Sequence, residues 1–276
     1  MPKRISSDTG YLDREPIDAP VRTEPRVLLF DFETSPLVGW GWRLYDSPMF
    51  HVEQDVMVIS VAWTWLDDDE VYAMGIHEFK GYKPGIRNVN DKKLIQEFMK
   101  VFERADVVIA QNGFGFDFRL FRTRMLVNGI KPHHEPKELD TKRFAKSKFL
   151  FTSNSQDNIT RQLGEGRKMK TAKDLHYDVL EVGSAEKWKE MIDYNKQDVV
   201  GLKVMAKALA PYVTIQVNRN VYSGEAMGCP NIFCKGKIMH HRGTRPTLTG
   251  IKMLYRCSTC GKSATAKNVP SGVLLS

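Results

Sequence analysis

Continuous and alternating runs of hydrophobic residues divide the first 212 residues into short strands and amphipathic helices. Residues 26–33, RVLLFDFE, hold an unbroken apolar run, which is typical of a central strand covered on both faces. Residues 56–65 and 71–76 predict two further strands joined by an acidic turn, and therefore a hairpin. Residues 107–110 predict a fourth, shorter strand.

Apolar residues at helical spacing alternate with these strands. An N-cap at Asn90 or Asp91 and a stripe ending at Phe102 predict the first helix, and Asn128-Gly129 ends the second. A loop with two prolines and two histidines is expected at residues 131–138. The helices are expected at about residues 91–102, 117–127, 141–147, 156–163 and 185–209. This order predicts an α/β fold, a mixed sheet flanked by helices.

Composition and charge add a second region. Of the 276 residues, 42% are hydrophobic and 27% charged, which excludes a disordered or low-complexity chain. The formal net charge is +8, and residues 213–276 account for it, with nine basic residues and one acid, Glu225. Such a tail favours a polyanionic partner, although a purely solubilising role fits the charge equally well.

From the sequence we expect neither an export signal nor a membrane segment. Residues 1–25 form a polar N-terminal arm, and the longest largely apolar run, residues 56–66, is shorter than the roughly 20 residues a spanning helix needs. We therefore expect a cytoplasmic protein.

All four cysteines lie in the basic region, as two close pairs: Cys229 with Cys234, and Cys257 with Cys260. Two such pairs separated by 22 residues are typical of the knuckles of a zinc ribbon. His240 and His241 are alternative ligands, and disulfides or free thiols are the alternatives to zinc. A structural Zn²⁺ would be needed, because so short a segment buries too little surface to fold alone. The expected domains are residues 26–212 and a zinc-ribbon module at residues 213–276.

Two carboxylates mark the end of the first strand. Asp31 and Glu33 are two residues apart, so both side chains face the same side of a strand. Paired carboxylates repel each other unless a cation lies between them, and oxygen ligands suit Mg²⁺ or Mn²⁺. Taken alone, the pair is also consistent with a plain strand terminus.

Two further motifs follow. Asn112-Gly-Phe-Gly-Phe-Asp117 stands between a strand and a helix, where Asp117 is either functional or a helix cap. Tyr194 and Asp198, four residues apart on the last long helix, share one face, as a reactive pair or as a buried tyrosine bonded to an acid. Asp140, Asp157 and Asp193 are expected to be caps or solvent-facing, and His133-His134 to be loop surface.

In this order and spacing, the three motifs resemble the tyrosine-containing branch of the DEDD superfamily of 3′–5′ exonucleases, over roughly residues 26–212. Similar members are the proofreading domains of family B DNA polymerases and stand-alone phage exonucleases. The resemblance implies a ribonuclease H-like fold and two catalytic Mg²⁺ or Mn²⁺ ions. It implies that Asp31, Glu33 and Asp198 bind one ion, that Asp31 and Asp117 hold the other, and that Tyr194 orients the attacking water. Asn112 would contact the terminal nucleotide.

Basic and aromatic residues in two segments are candidates for holding the strand. Residues 143–151 interleave cations with aromatic residues, and residues 165–173 contain four basic side chains. An ordinary solvated surface explains each segment equally well. The expected substrate-binding residues are Asn112, Phe116, Arg143, Lys146, Arg167, Lys168 and Lys170.

The sequence therefore predicts a metal-dependent 3′–5′ exonuclease that binds nucleic acid, single-stranded or frayed DNA by resemblance. Its zinc ribbon would bind nucleic acid or a replication protein such as a polymerase. The expected role is in replication or proofreading, and a virus or phage is one expected source of the gene. The alternatives are an RNA exonuclease of the same superfamily, because nothing in the sequence reads a 2′-hydroxyl, and a non-catalytic binding module.

Overall fold

The computed structural model describes residues 22–43, 48–131, 134–164, 174–214, 217–248 and 250–266. Within these ranges all nine strands and helices predicted for residues 26–212 are formed, together with several that were not predicted. The strands are β1 Val27–Thr34, β2 Val38–Gly41, β3 Met49–Gln54, β4 Val58–Trp65, β5 Tyr72–Gly75, β6 Val107–Ala110, β7 Lys137–Asp140, β8 Met239–Thr247, β9 Gly250–Cys257 and β10 Ser263–Ala266. The α-helices are α1 Lys92–Phe102, α2 Asp117–Val127, α3 Thr141–Lys148, α4 Gln156–Gln162, α5 Leu175–Tyr177, α6 Ala185–Leu209 and α7 Asn220–Ser223.

A five-stranded mixed sheet forms the centre of the body, in the order β5-β4-β1-β6-β7. β4 is antiparallel to both β1 and β5, whereas β6 and β7 run parallel to β1 and to each other. The continuous apolar run of β1 occupies the middle position, and its residues Leu28 to Phe30 are fully buried. The predicted α/β class, a mixed sheet flanked by helices, is confirmed.

The two faces of the sheet build two core clusters because successive side chains of a strand point in opposite directions. Leu28 and Phe30 belong to the first cluster, beneath α1 and α2, with Phe98 and Phe118. Leu29 belongs to the second, which also receives side chains from α3, α4 and the C-terminal half of α6. Both faces of β1 are thus covered, as its sequence predicts.

The structure differs from the sequence prediction at three points. β7 Lys137–Asp140 begins within the last two residues of the loop predicted at 131–138 and was not predicted, because a four-residue strand of sequence KELD has no hydrophobic run to reveal it. β2 and β3 form an unpredicted hairpin. The centroids of two exposed rings, Trp42 just after β2 and Phe50 on β3, lie 4.8 Å apart. A short helical segment, α5 followed by a π-helical turn at Asp178–Val182, was not predicted either.

Asp91 stands at the N-cap position of α1 but does not cap the helix with its side chain. Its fully buried carboxylate accepts from the guanidinium of Arg124, at 2.6 and 3.0 Å, and from the backbone N–H of Val58 at 3.1 Å. Asp91 therefore ties α1, α2 and β4 together, a role that its position in the sequence did not reveal.

The four cysteines lie beside a separate three-stranded sheet in the order β10-β9-β8, which we call the ribbon sheet. This region is joined to the body, because Ile232 and Phe233 pack into the second core cluster. Arg219 also pairs with Glu24 on the body side. The boundary at residue 212 stays a prediction, and side chains from both sides of it share one core. No helix among the described residues is long and apolar enough to cross a membrane.

Candidate active site and cysteine cluster

Three parallel strands end at the same edge of the sheet, and their C-terminal ends carry the polar residues of the site. β1 supplies Asp31 and Glu33, β6 leads into the loop that begins after Ala110, and β7 ends at Asp140. Open α/β sheets place their ligand sites at this edge.

Asp31, Glu33 and Asp198 meet at one point, which we call the carboxylate cluster. One carboxylate oxygen from each residue lies within 4.8 Å of the others. Asp198 reaches it from α6 and is buried, whereas the two β1 residues are half-buried. Three converging carboxylates of like charge favour a bound cation, and their oxygen atoms suit Mg²⁺ or Mn²⁺.

Asn195, which the sequence analysis missed, fixes the position of Asp31. Its amide nitrogen donates to Asp31 Oδ2 at 3.0 Å, and its amide oxygen accepts from Ser60 Oγ at 3.1 Å. Asn195 is fully buried. A detectable signal existed, since Asn195 is an amide on the buried face of α6, between Met191 and Leu202.

His176 is a second residue that sequence reasoning missed. Its Nε2 lies 3.1 Å from Glu33 Oε2, and its side chain is 43% exposed. His176 is carried by the unpredicted α5, so no motif of the sequence pointed to it.

Asp117 lies beside the carboxylate cluster but is not one of its three members. Its carboxyl is buried at the start of α2. Burial raises the pKa of Asp117 to about 7, and repulsion from Asp140 and Glu33 adds to the rise, although the backbone N–H groups of Asp117 and Phe32 oppose it. A buried carboxyl with these neighbours is electrostatically suited to a further cation.

Asp140 shapes the loop that precedes Asp117. Its carboxylate caps α3 by accepting from the N–H of Arg143 at 3.1 Å, which confirms the predicted cap. The same carboxylate accepts from the N–H of Asn112 at 3.1 Å and of Phe114 at 3.2 Å. Asn112 adopts a left-handed backbone with φ 62°, which asparagine tolerates better than most residues. A Cβ at Gly113 would lie 2.5 Å from the Phe118 ring, so this position requires glycine.

Tyr194 is half-buried, one helical turn before Asp198, and packs against the first core cluster. The helix is anchored at this point by Gln156, whose amide donates to the carbonyl of Asp198 at 2.7 Å. A Cβ at Gly201 would lie 2.8 Å from the same amide nitrogen, so α4 approaches α6 where a side chain is missing. The two residues of this motif therefore lie on a fixed segment of helix beside the cluster.

The residues expected to hold the strand lie around the same edge. The Arg143 guanidinium stacks 5.5 Å above the Phe114 ring, and Phe114 and Phe116 are both about 40% exposed. Phe118 is core, and Lys146 is exposed on α3. Arg167, Lys168, Lys170 and His133 lie outside the described residues. Asp157, Asp193 and His134 are exposed, as expected.

The four thiols form a closed cluster. Cys229 Sγ lies 3.6 Å from Cys260 Sγ, and Cys234 Sγ lies 3.8 Å from Cys257 Sγ. Tetrahedral zinc with bonds of about 2.3 Å separates its sulfur ligands by about 3.8 Å, whereas a disulfide needs about 2.05 Å. The spacing therefore fits a shared Zn²⁺ and not a pair of disulfides.

The surroundings of the thiols agree with a metal site. Burial raises the pKa of the Cys229 and Cys234 thiols, so thiolates here require a compensating cation. Gly236 approaches closely enough to donate its N–H to Cys234 Sγ at 3.3 Å. His240 and His241 are exposed on β8, and the described cluster contains the four cysteines without them.

Comparison with known proteins adds the family. The model of the RNase H superfamily matches residues 64–210, just over half of the chain. The chain belongs to the RNase H superfamily. The match includes Asp117, Tyr194 and Asp198 and begins after β1, which carries Asp31 and Glu33. The resemblance to ribonuclease H-like proteins is thereby confirmed. Membership of this superfamily supports a nuclease activity, which is hydrolysis of phosphodiester bonds.

Among solved structures, this RNase H superfamily chain is similar to the family B DNA polymerase from the hyperthermophilic archaeon Pyrobaculum calidifontis. The identity is 18% and the TM-score 0.46, over 73% of this chain. The chain spans about a quarter of that polymerase, 26% of its length. No curated protein sequence matches the chain.

Proposed function

We propose that the chain is a metal-dependent 3′–5′ exonuclease that removes nucleotides from single-stranded or frayed DNA ends. The observation that carries this proposal is the carboxylate cluster, in which Asp31, Glu33 and Asp198 arrive from two different elements at one point. It stands on a nuclease fold, at the sheet edge where such folds place their sites. An intact cluster of this kind favours an enzyme over a non-catalytic binding module.

The proposed ion ligands divide into two groups. Asp31, Glu33 and Asp198 would hold one Mg²⁺ or Mn²⁺, and Asp117, with Asp31, would hold the second. Such ions lower the pKa of water and stabilise the charge that develops on the leaving 3′ oxygen. The raised pKa of Asp117 supports its assignment, because a neighbouring cation would restore the ionised carboxylate that burial disfavours.

Tyr194 would position the attacking water by a hydrogen bond. A phenol has a pKa near 10, so it is a poor general base at neutral pH, and orientation is the task it can perform. Asn195 would keep Asp31 in place for the same reaction.

The loop between β6 and α2 would receive the strand. Exposed Phe114 and Phe116 offer rings on which bases stack, and Arg143 and Lys146 offer cations for phosphates. Stacking needs unpaired bases, which favours a single strand or a frayed end. The DNA preference and a role in replication or proofreading, beside a polymerase, rest on the motif resemblance.

The cysteine cluster would hold one structural Zn²⁺. Four protein thiolates close the coordination shell and leave no position for a substrate, so this ion would stabilise the fold of the ribbon sheet.

The test compares Asp31→Ala with Asp193→Ala, an exposed acid on α6, in hydrolysis of a single-stranded oligonucleotide with Mg²⁺ or Mn²⁺. Asp31→Ala should lose hydrolysis while its circular dichroism stays unchanged, because the proposed ligand of both ions is gone. Asp193→Ala should retain it. Wild-type turnover in a folded Asp31→Ala protein would exclude the carboxylate cluster as the active site.

A further inference from the structure

The ribbon sheet has two chemically different faces. Alternate residues of its strands point inward and form a small core around the thiols, made of Met239, Tyr255, Cys257, Ala264 and Ala266. The residues between them point outward. These are His240 on β8 and Lys252, Leu254 and Arg256 on β9, with Arg245 across from Lys252, and we call this surface the outer face.

Basic residues of neighbouring strands stand directly opposite one another on the outer face. Arg245 pairs in register with Lys252, and His240 pairs with Arg256. Like charges directly opposite each other destabilise a sheet. The chain has no acidic residue after Glu225. Among the described residues, Arg245, Lys252 and Arg256 form no ion pair. The outer face therefore carries concentrated positive charge that the ribbon sheet does not neutralise.

Cations of α3 lie between the Phe114 loop and the ribbon sheet. Arg143 at the start of α3 stacks on Phe114 beside the carboxylate cluster, and Lys148 ends the same helix. Lys148 is close enough to Lys262, in the turn before β10, for their positive charges to repel each other. The Arg256 guanidinium lies beside Gly261, the neighbour of Lys262. Basic side chains thus extend from the Phe114 loop along α3 to the ribbon sheet, where Lys262 itself donates to the carbonyl of Val213 and faces the thiols of Cys229 and Cys260.

We propose that the outer face binds the phosphate backbone of the nucleic-acid strand whose end lies at the carboxylate cluster. This inference rests on the proposed function, since it takes the nuclease substrate as the polyanion. Lys252 and Arg256 are four residues apart on a strand, a separation of about 13 Å, which corresponds to about four stacked nucleotides. The two cations would therefore contact different phosphates of one strand, and a strand held at the carboxylate cluster would have to extend to the ribbon sheet to meet them.

The experiment measures binding of a fluorescent 20-nucleotide single strand to the full chain, in the Asp31→Ala background, with zinc present and no added Mg²⁺ or Mn²⁺. Arg245→Gln with Lys252→Gln is compared with Lys92→Gln with Lys93→Gln, two exposed lysines on the first turn of α1. The first double variant should bind about tenfold more weakly at low salt. Its slope of log affinity against log salt should flatten by about 1.4, which is about 0.7 for each lost phosphate contact.

Two further readouts separate the inference from the proposed function. Zinc content should be unchanged in the outer-face variant, and the charge-preserving Arg245→Lys with Lys252→Arg should bind like the parent. In the otherwise wild-type chain, the outer-face variant should hydrolyse a trinucleotide at the normal kcat and show a raised KM for the 20-mer. Failure of hydrolysis in every variant, with the binding difference intact, would overturn the exonuclease and leave the outer face as a binding surface.

Two results would overturn the inference. If the α1 control pair weakened binding of the single strand equally, the loss of affinity would come from the lower net charge and not from the outer face. An unchanged affinity and salt slope in the outer-face variant would show that nucleic acid does not use this surface, and would favour a protein partner for the ribbon sheet.

Discussion

Asp117 is the most deeply buried of the four proposed ion ligands. Its carboxyl has lost almost all contact with water and faces Asp140 and Glu33, so the ionised form is disfavoured and the pKa rises to about 7. A carboxyl whose pKa is higher in the folded than in the unfolded state stabilises the fold at low pH, and this contribution is lost as pH rises through about 7. The proposed site therefore costs stability when no divalent ion is bound.

Asp117→Asn should consequently stabilise the protein in the absence of Mg²⁺ and Mn²⁺. At pH 8 we expect its free energy of unfolding to exceed that of the wild type by about 1–3 kcal/mol, because a buried ionised group is removed. The difference should shrink as the pH falls toward 5. Urea unfolding at both pH values measures it, and a destabilised variant at pH 8 would contradict the electrostatic account of Asp117.

Tyr194→Phe should slow hydrolysis without abolishing it. Removing one orienting hydrogen bond costs less than removing an ion ligand, and we expect a loss of roughly 10–10³-fold in kcat. The rates of hydrolysis of the wild type, Tyr194→Phe and Asp31→Ala are compared by single-turnover kinetics. Full activity of Tyr194→Phe would make the Tyr194/Asp198 pair structural, and a loss as complete as that of Asp31→Ala would require a larger role for the phenol.

The helix α6 joins the core to the site. One face of it buries Trp188, Leu202 and Leu209. The same helix presents Asn195 and Asp198 to the end of β1. Rigid packing on both sides of these residues holds Asp198 and Asp31 in one geometry. The position of the carboxylate cluster is therefore set by the packing of α6 against the sheet.

Asn195→Ala should disturb that geometry without removing a proposed ligand. It removes the hydrogen bonds that Asn195 forms with buried Ser60 and with Asp31, so the free energy of unfolding should fall by about 1–3 kcal/mol. Mn²⁺ binding, measured by titration calorimetry, should weaken. Lys189→Ala, an exposed change on the same helix, is the control, and unchanged Mn²⁺ affinity in Asn195→Ala would remove Asn195 from the positioning of Asp31.

Elements with a clear local pattern, including the short apolar strand β6, could be predicted from the sequence, whereas β7 and α5, which lack one, could not. The apolar run of β1 and the stripe of α1 depend on local pattern, so their sequences were sufficient. β7 and α5 are only four and three residues long and exist because of tertiary contacts. The same limit applies to the site: Asp31 and Glu33 form a local motif, whereas His176 meets Glu33 only through folding.

The whole molecule is more tightly joined than the sequence suggested. A basic tail with its own cysteines predicts a separable module, yet Ile232 and Phe233, between Cys229 and Cys234, enter the core beneath α6. Residues that flank the thiols therefore take part in the packing of the body. Truncation near residue 213 would expose that part of the core.

Ile232→Ala should lower the free energy of unfolding of the body by about 2–4 kcal/mol, because it leaves a cavity in a buried cluster. Zinc content should not change. Cys257→Ser should lose zinc and also lower the melting temperature of the body, through the displaced Ile232. Calorimetry with metal analysis tests both variants, and an unaltered body transition in zinc-free Cys257→Ser would show that the two parts are stable independently.

The most direct measurement follows a single-stranded 20-mer, labelled at its 5′ end in one sample and at its 3′ end in the other, during hydrolysis with Mg²⁺ or Mn²⁺. The account predicts a ladder that shortens progressively in the 5′-labelled sample and immediate release of labelled mononucleotide in the 3′-labelled one. Both should be absent from Asp31→Ala and blocked by a phosphorothioate at the 3′-terminal linkage. Immediate release of the 5′ label, internal cuts, or hydrolysis that persists in Asp31→Ala would contradict the account.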